Sequence, residues 1–172
     1  MRKIRVLNFI SLAAITVAGL AASGSAQASP VAGRFGLGVI DTLGQGAGIN
    51  GVYDGGPWHA DATIALAKID DAPIGDNDSR LSLGVHGWYH LNNGASSDFS
   101  VGGGLSFFRV DPPGDNNTRS AVSIDAGFQI RAFVTSNVAV SGFGGLQIVT
   151  GDSDGYALGG QPLGAFALTY FF

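Results

Sequence analysis

Residues Ser79–Leu91, which read SRLSLGVHGWYHL, alternate between two kinds of side chain along their whole length. One set is apolar or aromatic apart from a single glycine, and it comprises Leu81, Leu83, Val85, Gly87, Tyr89 and Leu91. The intervening set is Arg80, Ser82, Gly84, His86, Trp88 and His90. A period of two places the sets on opposite faces of a β-strand. The segment therefore predicts a strand with one apolar face.

The same alternation recurs through the rest of the chain, and no helical periodicity follows residue 29. Three segments repeat it clearly: Trp58–Leu66, Phe99–Phe107 and Ala121–Ala132. Four follow it more weakly: Gly33–Ile40, Gly46–Tyr53, Val138–Ile148 and Leu163–Phe172. Gly, Pro, Asn, Asp and Ser fill the connectors, and the longest connector is predicted at Val149–Gly160. These patterns predict one all-β domain of eight strands.

The composition of the 172 residues excludes several classes of protein. The chain has 28 Gly and 13 acidic residues, and every acidic residue is Asp, which is unfavourable for a helical bundle. It has no Cys, so it contains neither a disulfide framework nor a thiolate metal site. Low charge and positive mean hydropathy argue against disorder.

The N-terminal segment has the features of a secretory signal. Arg2, Lys3 and Arg5 precede an apolar stretch, and Ala26-Gln27-Ala28 fits a cleavage site. We predict a cleaved signal peptide at residues 1–28. Its removal leaves six basic residues of the original nine against 13 Asp, which disfavours nucleic acid as a partner.

The second face of the predicted strands indicates which kind of barrel they form. That face consists mostly of Gly, Ser, Ala and Thr with few charges, and it would make a poor surface toward water. It suits the narrow interior of an eight-stranded barrel whose apolar outside meets lipid. The clearest apolar strips are about nine to eleven residues long, the span of a tilted membrane strand. We predict a closed antiparallel eight-stranded up-and-down transmembrane β-barrel at residues 29–172.

Aromatic residues recur at one end of the predicted strands. An even strand number places both chain ends on one side, which is the periplasmic side in outer-membrane barrels. The aromatic residues that fall near this side are Phe35, Tyr53, Trp58, Tyr89, Phe99 and Tyr170. Rings of this kind favour the headgroup level of a membrane, so these six residues predict an aromatic girdle.

The last strand carries a family resemblance. Apolar or aromatic side chains alternate up to the terminal residue, as Phe166, Leu168, Tyr170 and Phe172. This pattern resembles the C-terminal signal of bacterial outer-membrane β-barrels. The mature chain resembles the small eight-stranded barrels of the OmpX and OmpA-transmembrane-domain type. The resemblance implies recognition of these four residues by the barrel-assembly machinery. It also implies location in the outer membrane of a Gram-negative bacterium, in contact with lipid and lipopolysaccharide.

Several charged or imidazole side chains fall on the predicted inner faces. They are Arg34, His59, Asp61, Arg80, His86, Asp125 and Arg131. A charge in a narrow interior is costly unless it is paired. We therefore predict a lumen polar network that plugs the barrel, with Asp61 and Asp125 offsetting Arg80 and Arg131.

The sequence predicts neither a cofactor nor a metal site. Histidines on one strand lie about 7 or 13 Å from their same-face neighbours, too far for a chelate without residues from other strands.

The predicted outer loops and strand ends carry charges as well. The acidic ones are Asp70, Asp71, Asp76, Asp78, Asp111, Asp115, Asp152 and Asp154. They either bind divalent cations that bridge lipopolysaccharide, or they contact an extracellular partner, or they are ordinary turn residues. Lys68 and Arg109 lie at lipid-facing outer positions, where they either meet lipopolysaccharide phosphates or extend to the interface.

These observations favour a non-enzymatic role. The leading hypothesis is a structural or surface-interaction protein of the bacterial envelope with a plugged, porin-like barrel. The alternative is a narrow channel or carrier of a small ligand across the outer membrane. A lipid-modifying membrane enzyme and a soluble periplasmic lipocalin-like barrel are the remaining possibilities.

Overall fold

The computed structural model describes residues 30–42, 46–71, 76–111, 118–152, 155–158 and 165–172. The signal peptide predicted at residues 1–28 lies outside these ranges. The described residues form nine strands: β1 (Phe35–Thr42), β2 (Gly46–Asp54), β3 (Trp58–Asp71), β4 (Asp76–Asn93), β5 (Ser97–Asp111), β6 (Arg119–Thr135), β7 (Val138–Gly151), β8 (Gly155–Leu158) and β9 (Ala165–Phe171). Among the described residues, no helix is long and apolar enough to cross a membrane.

The nine strands close into a barrel with eight positions. From β1 to β7, each strand pairs antiparallel with the next one along the chain. β9 closes the barrel because it pairs with β1 on one side and with β7 on the other. β8 pairs with the second half of β7 and β9 pairs with its first half, so both occupy the eighth position. The predicted closed antiparallel eight-stranded barrel is confirmed.

The strand bounds differ from the predicted ones in a systematic way. β3 to β6 are longer than predicted, at 14, 18, 15 and 17 residues. The connector predicted at Val149–Gly160 is wrong in part, because β7 continues to Gly151 and Gly155–Leu158 forms β8. Backbone pairing with a neighbour extends a strand through Asp, Ser and Gly residues that read as turn residues in the sequence alone.

The two ends of the barrel differ in their connectors. One end, here called the turn end, carries the three short connections at 55–57, 94–96 and 136–137. The opposite end, the loop end, carries the connections that contain residues 43–45, 72–75, 112–117 and 153–154. The two ends of the described chain meet at the turn end, where the Phe172 N–H donates to the Phe35 carbonyl over 2.9 Å.

The polarity of the barrel wall is inverted relative to a water-soluble protein. Large apolar side chains lie on the outer surface, where Leu66, Ile124 and Val134 are 68%, 64% and 66% exposed. Polar and charged side chains lie buried inside: Asn50, Asp54, His59, Asp61, His90, Ser97, Asp98, Ser100, Ser106, Ser123, Asp125, Gln129, Arg131, Ser141, Gln147 and Thr169. The apolar faces read from the sequence are therefore outer faces.

A small apolar cluster fills the interior near the turn end. Val31 precedes β1 and is fully buried against Val52, Ala139, Phe171 and the half-buried Phe133. Gly33 makes the turn into β1 with a φ of 79°, a conformation that glycine adopts without strain. This cluster covers the turn-end side of the lumen with hydrocarbon.

Glycines that face the lumen and glycines that face outward should respond differently to an added side chain, and this difference tests the interior packing. A Cβ at Gly38 would meet the Leu168 carbonyl and would lie 2.5 Å from Asn50 Oδ1, whereas a Cβ at Gly87 would meet nothing within 4 Å. We expect Gly38→Ala to lower the free energy of unfolding by about 1–3 kcal/mol through overpacking. Gly87→Ala should change it by less than about 0.5 kcal/mol. Urea titration of the refolded variants measures both, and equal losses would contradict the described packing.

Candidate functional site

Two groups of polar side chains meet inside the barrel. The first, here called the guanidinium cluster, is nearer the turn end and contains Asp54, His59, His90, Asp98 and Arg131. The second, the imidazole cluster, contains Asp61, His86, Trp88 and Asp125. Four strands, β3 to β6, supply most of these residues. All of them occupy positions that alternate with the outward apolar residues or flank the strand ends.

Arg131 is the centre of the guanidinium cluster. Its side chain is 2% exposed, and its Nε donates to both oxygens of Asp98 over 3.1 and 2.9 Å. Its Nη2 donates to Asp54 Oδ2 over 2.6 Å. Asp98 is the cross-strand partner of Arg131 in the β5–β6 register, whereas Asp54 comes from the end of β2. One guanidinium thus links strands that are not neighbours in the sheet.

A histidine pair lies against this guanidinium. His59 Nδ1 and His90 Nε2 are 2.6 Å apart, and Arg131 Nη2 lies 3.2 Å from His90 Nε2. One of these two imidazole nitrogens must carry the proton and the other must accept it, so at least one of the two histidines is neutral.

The same residues contain a possible metal-donor set. Donor atoms of Asp54, His59 and His90 lie within 4.8 Å of one another. Imidazole and carboxylate donors of this kind bind zinc and similar metals in proteins. Here, however, Arg131 lies within hydrogen-bond distance of both Asp54 and His90. A fixed positive charge at the donor atoms opposes a metal cation, so the arrangement fits an ion pair better than a metal centre.

The imidazole cluster is organised around His86. Its Nδ1 lies 2.9 Å from Asp61 Oδ1, and its Nε2 lies 3.4 Å from Asp125 Oδ2. The second oxygen of Asp61 accepts a 2.6 Å bond from the Trp88 indole N–H. Within the described part of the chain, no serine or threonine hydroxyl is recorded as a hydrogen-bond partner of His86. The cluster therefore links two carboxylates through an imidazole.

A glycine makes the contact between His86 and Asp125 possible. His86 is on β4 and Asp125 is on β6, and Gly104 of β5 lies between them in both registers. A Cβ at Gly104 would lie 2.5 Å from His86 Cδ2. The absence of a side chain therefore lets the imidazole extend across β5 to the next strand.

Aromatic rings fill the space between the two clusters. Trp88 is 2% exposed, and its ring lies 5.8 Å from Phe143 of β7, between centroids. The His59 and His86 rings stack on Trp88 at 6.2 and 5.9 Å. Contact between β4 and β7 crosses the barrel, so these rings narrow the lumen at this level.

The structure brings together five of the seven residues of the predicted lumen network. His59, Asp61, His86, Asp125 and Arg131 belong to the two clusters. Arg34 and Arg80 do not belong to either cluster. Both are exposed: Arg34 lies just before β1, and Arg80 lies toward the loop end of β4.

The predicted pairing needs correction as well. Arg131 pairs with Asp54 and Asp98, while Asp61 and Asp125 flank His86.

Four members of the clusters are absent from the predicted lumen network, for two different reasons. Trp88 and His90 share the inward face with His86, so the alternation already contained that signal. Asp54 and Asp98 lie directly outside the predicted strands Gly46–Tyr53 and Phe99–Phe107. Only the longer β2 and β5 and their pairing registers bring these two carboxylates to Arg131.

The residues of the predicted girdle lie at the turn end of the outer surface. The ring of Tyr53 contacts those of Phe35 and Trp58, with centroids 4.7 and 5.7 Å apart. The remaining predicted girdle residues are exposed: Tyr89, Phe99 and Tyr170. Along β9 the C-terminal signal residues Phe166, Leu168, Tyr170 and Phe172 are partly or fully exposed. A membrane interface and recognition by assembly machinery stay predictions.

Comparison with known proteins shows the fold and no closer relationship. No protein-family model matches the sequence, and no curated protein matches it. The N-terminal β-barrel domain of Pseudomonas aeruginosa OprF matches with a TM-score of 0.51 at 12% identity, over 85% of this chain and 100% of that domain. Ail, the attachment invasion locus protein of Yersinia pestis, matches with a TM-score of 0.40 at 12% identity, over 80% and 92% of the chains. The match to the OprF domain confirms the predicted resemblance at the level of fold.

Removal of the central guanidinium tests its role in stability. Arg131→Ala leaves the buried carboxylates of Asp54 and Asp98 without a cation, and we expect a loss of about 3–5 kcal/mol in the free energy of unfolding. Arg34→Ala removes an exposed arginine and should cost less than about 0.5 kcal/mol. Urea titration provides the measurement.

A second variant separates charge from packing. Adding Asp98→Asn to Arg131→Ala removes one of the two buried carboxylates that have lost their cation. Part of the lost free energy of unfolding should therefore return. No recovery in the double variant would mean that the loss came from packing of the arginine side chain.

Proposed function

We propose that the protein is a small outer-membrane β-barrel of a Gram-negative bacterium with a structural or surface-interaction role in the envelope. In this proposal the polar lumen is blocked, and residues 1–28 are a cleaved export signal. The observation that carries the proposal is the inverted polarity of the wall, with large apolar side chains outside and, among the described residues, sixteen polar or charged ones buried inside. A barrel in water would expose the opposite face.

The packing of the lumen supports a blocked interior. Trp88 and Phe143 contact one another across the barrel, and the cluster around Val31 and Phe171 covers the turn end. Arg131 is held by two carboxylates that come from different strands, β2 and β5. Aromatic rings and a doubly paired guanidinium leave a narrow barrel little room for a continuous water path.

The proposed orientation places the turn end in the periplasm and the loop end outside the cell. Short turns on the periplasmic side and longer outer loops are usual for this class of barrel. At the loop end Arg109 is half exposed, and its Nε lies 3.6 Å from Asp111 Oδ2. We propose that lipid and lipopolysaccharide are the partners of this wall, with Arg109 near the phosphates. The side chain of Lys68 lies outside the described residues.

A charge on the outer wall tests membrane location directly. Ile124→Arg places a guanidinium in the middle of the proposed lipid face and should lower the free energy of unfolding in lipid vesicles by about 2–4 kcal/mol. Val134→Arg, on the same strand at the turn end, should cost about 0–1 kcal/mol because it reaches the interface. If both variants were as stable as wild type, the outer face would be in water and a soluble barrel would be favoured.

Planar-bilayer recording tests the blocked lumen. We expect no stepwise conductance from the wild-type barrel, because aromatic and ion-paired side chains fill its cross-section. Migration in cold SDS, compared with that of a boiled sample, shows that the protein in the same preparation is folded. Reproducible unitary steps would contradict the blocked lumen and favour the alternative, a narrow channel.

A further inference from the structure

Asp125 differs from the other carboxylates inside the barrel. Asp54, Asp61 and Asp98 each accept at least two hydrogen bonds from side-chain or backbone N–H groups. The Asp125 side chain is fully buried, and among the described residues neither of its oxygens has a hydrogen-bond partner. Asp125 Oδ2 makes an ionic contact with His86 Nε2 over 3.4 Å. A buried carboxylate with one long contact lacks most of the stabilisation that such a group requires.

Oxygen-bearing side chains adjoin Asp125 on the loop-end side. Gln147 is its cross-strand partner on β7, and Ser123 lies two residues before it on β6. Gln147 Nε2 donates to Ser123 Oγ over 2.8 Å. Ser106 is the partner of Ser123 on β5, is 3% exposed, and has a hydroxyl without a hydrogen-bond partner among the described residues. Hydroxyl, amide and carboxylate side chains thus occupy neighbouring inward positions on β5, β6 and β7.

The charge inside the described barrel is unbalanced toward the negative. Four carboxylates are buried there, and Arg131 is the one buried guanidinium among the described residues. At least one of His59 and His90 is neutral, because one of the two facing ring nitrogens must accept the hydrogen bond between them. Even with a second proton on the other of these two histidines and on His86, the four carboxylates would exceed the positive groups by one. Arg80 and Arg119 are exposed, and they lie roughly 20 Å along their strands from His86 and Asp125.

We propose that Asp125, with the oxygens of Ser106, Ser123 and Gln147, binds a small hard cation of the Ca²⁺ class inside the lumen. Such ions take oxygen ligands and keep waters where protein ligands are few. A single carboxylate that also contacts His86 Nε2 over 3.4 Å predicts a weak site, with a Kd of about 10⁻⁴ to 10⁻³ M. The proposal concerns the lumen alone and holds whether or not the barrel conducts or lies in a membrane.

Terbium luminescence offers a direct test, because Tb³⁺ substitutes for Ca²⁺ and emits when a nearby tryptophan is excited. The chain has two tryptophans, and Trp88 stacks on His86 while Trp58 lies on the outer surface. In a Trp58→Phe background, refolded in detergent, Trp88 is the one remaining indole. We expect saturable Tb³⁺ emission on tryptophan excitation and its displacement by Ca²⁺.

Matched variants assign the signal to the proposed site. Asp125→Asn should weaken Tb³⁺ binding at least tenfold. Asp152→Asn, which removes an exposed carboxylate near the loop end, should leave it unchanged. Ser106→Ala keeps all charges and should weaken binding about three- to tenfold, so it decides the matter if Asp125→Asn fails to fold. Absent emission in the Trp58→Phe protein, or emission that persists in the folded Asp125→Asn variant, would overturn the proposal.

Discussion

Eight antiparallel strands enclose an interior just wide enough for side chains, and this width limits what each inward position can hold. Large inward groups therefore stand opposite glycines. Trp88 pairs with Gly102 and His86 pairs with Gly104 in the β4–β5 register. A side chain at either glycine would meet the backbone or the imidazole of β4. The high glycine content is thus a condition for placing aromatic and imidazole rings inside so narrow a barrel.

The same narrow space raises the cost of every buried charge and explains the arrangement of the two clusters. Arg131 is paired with two carboxylates, which satisfies a guanidinium that water cannot reach. His86 on β4 contacts Asp61 on the neighbouring β3 and, across β5, Asp125 on β6. The clusters connect β2 to β6, so they join parts of the wall that backbone hydrogen bonds do not join. Asp125 is the least compensated member, and it is the residue on which the proposed cation site rests.

The outer wall constrains the sequence less than the lumen does, since it needs only apolar side chains at alternate positions and no particular side-chain contacts. This explains why the chain follows the path of the OprF barrel domain at 12% identity. Any sequence with the right alternation, small inward residues and suitable turns can close in this way. The likeness therefore concerns the fold, and the features specific to this chain lie in its lumen.

The sequence by itself determined the strand period and the outer face of the clearly alternating strands, because alternation is a local property of neighbouring residues. The number of such strands and the small residues of their second face then predicted a closed barrel. The sequence also placed His59, Asp61, His86, Asp125 and Arg131 inside. It did not determine that Gly155–Leu158 pairs with β7, since the Gly and Asp residues just before and at the start of this segment read as turn residues. Only the tertiary structure decided which charges meet. Asp98 faces Arg131 through the β5–β6 register, and Asp54 reaches it from β2 through the curvature of the closed wall. Partners on different strands depend on register and closure, and neither is encoded in the residues next to each charge.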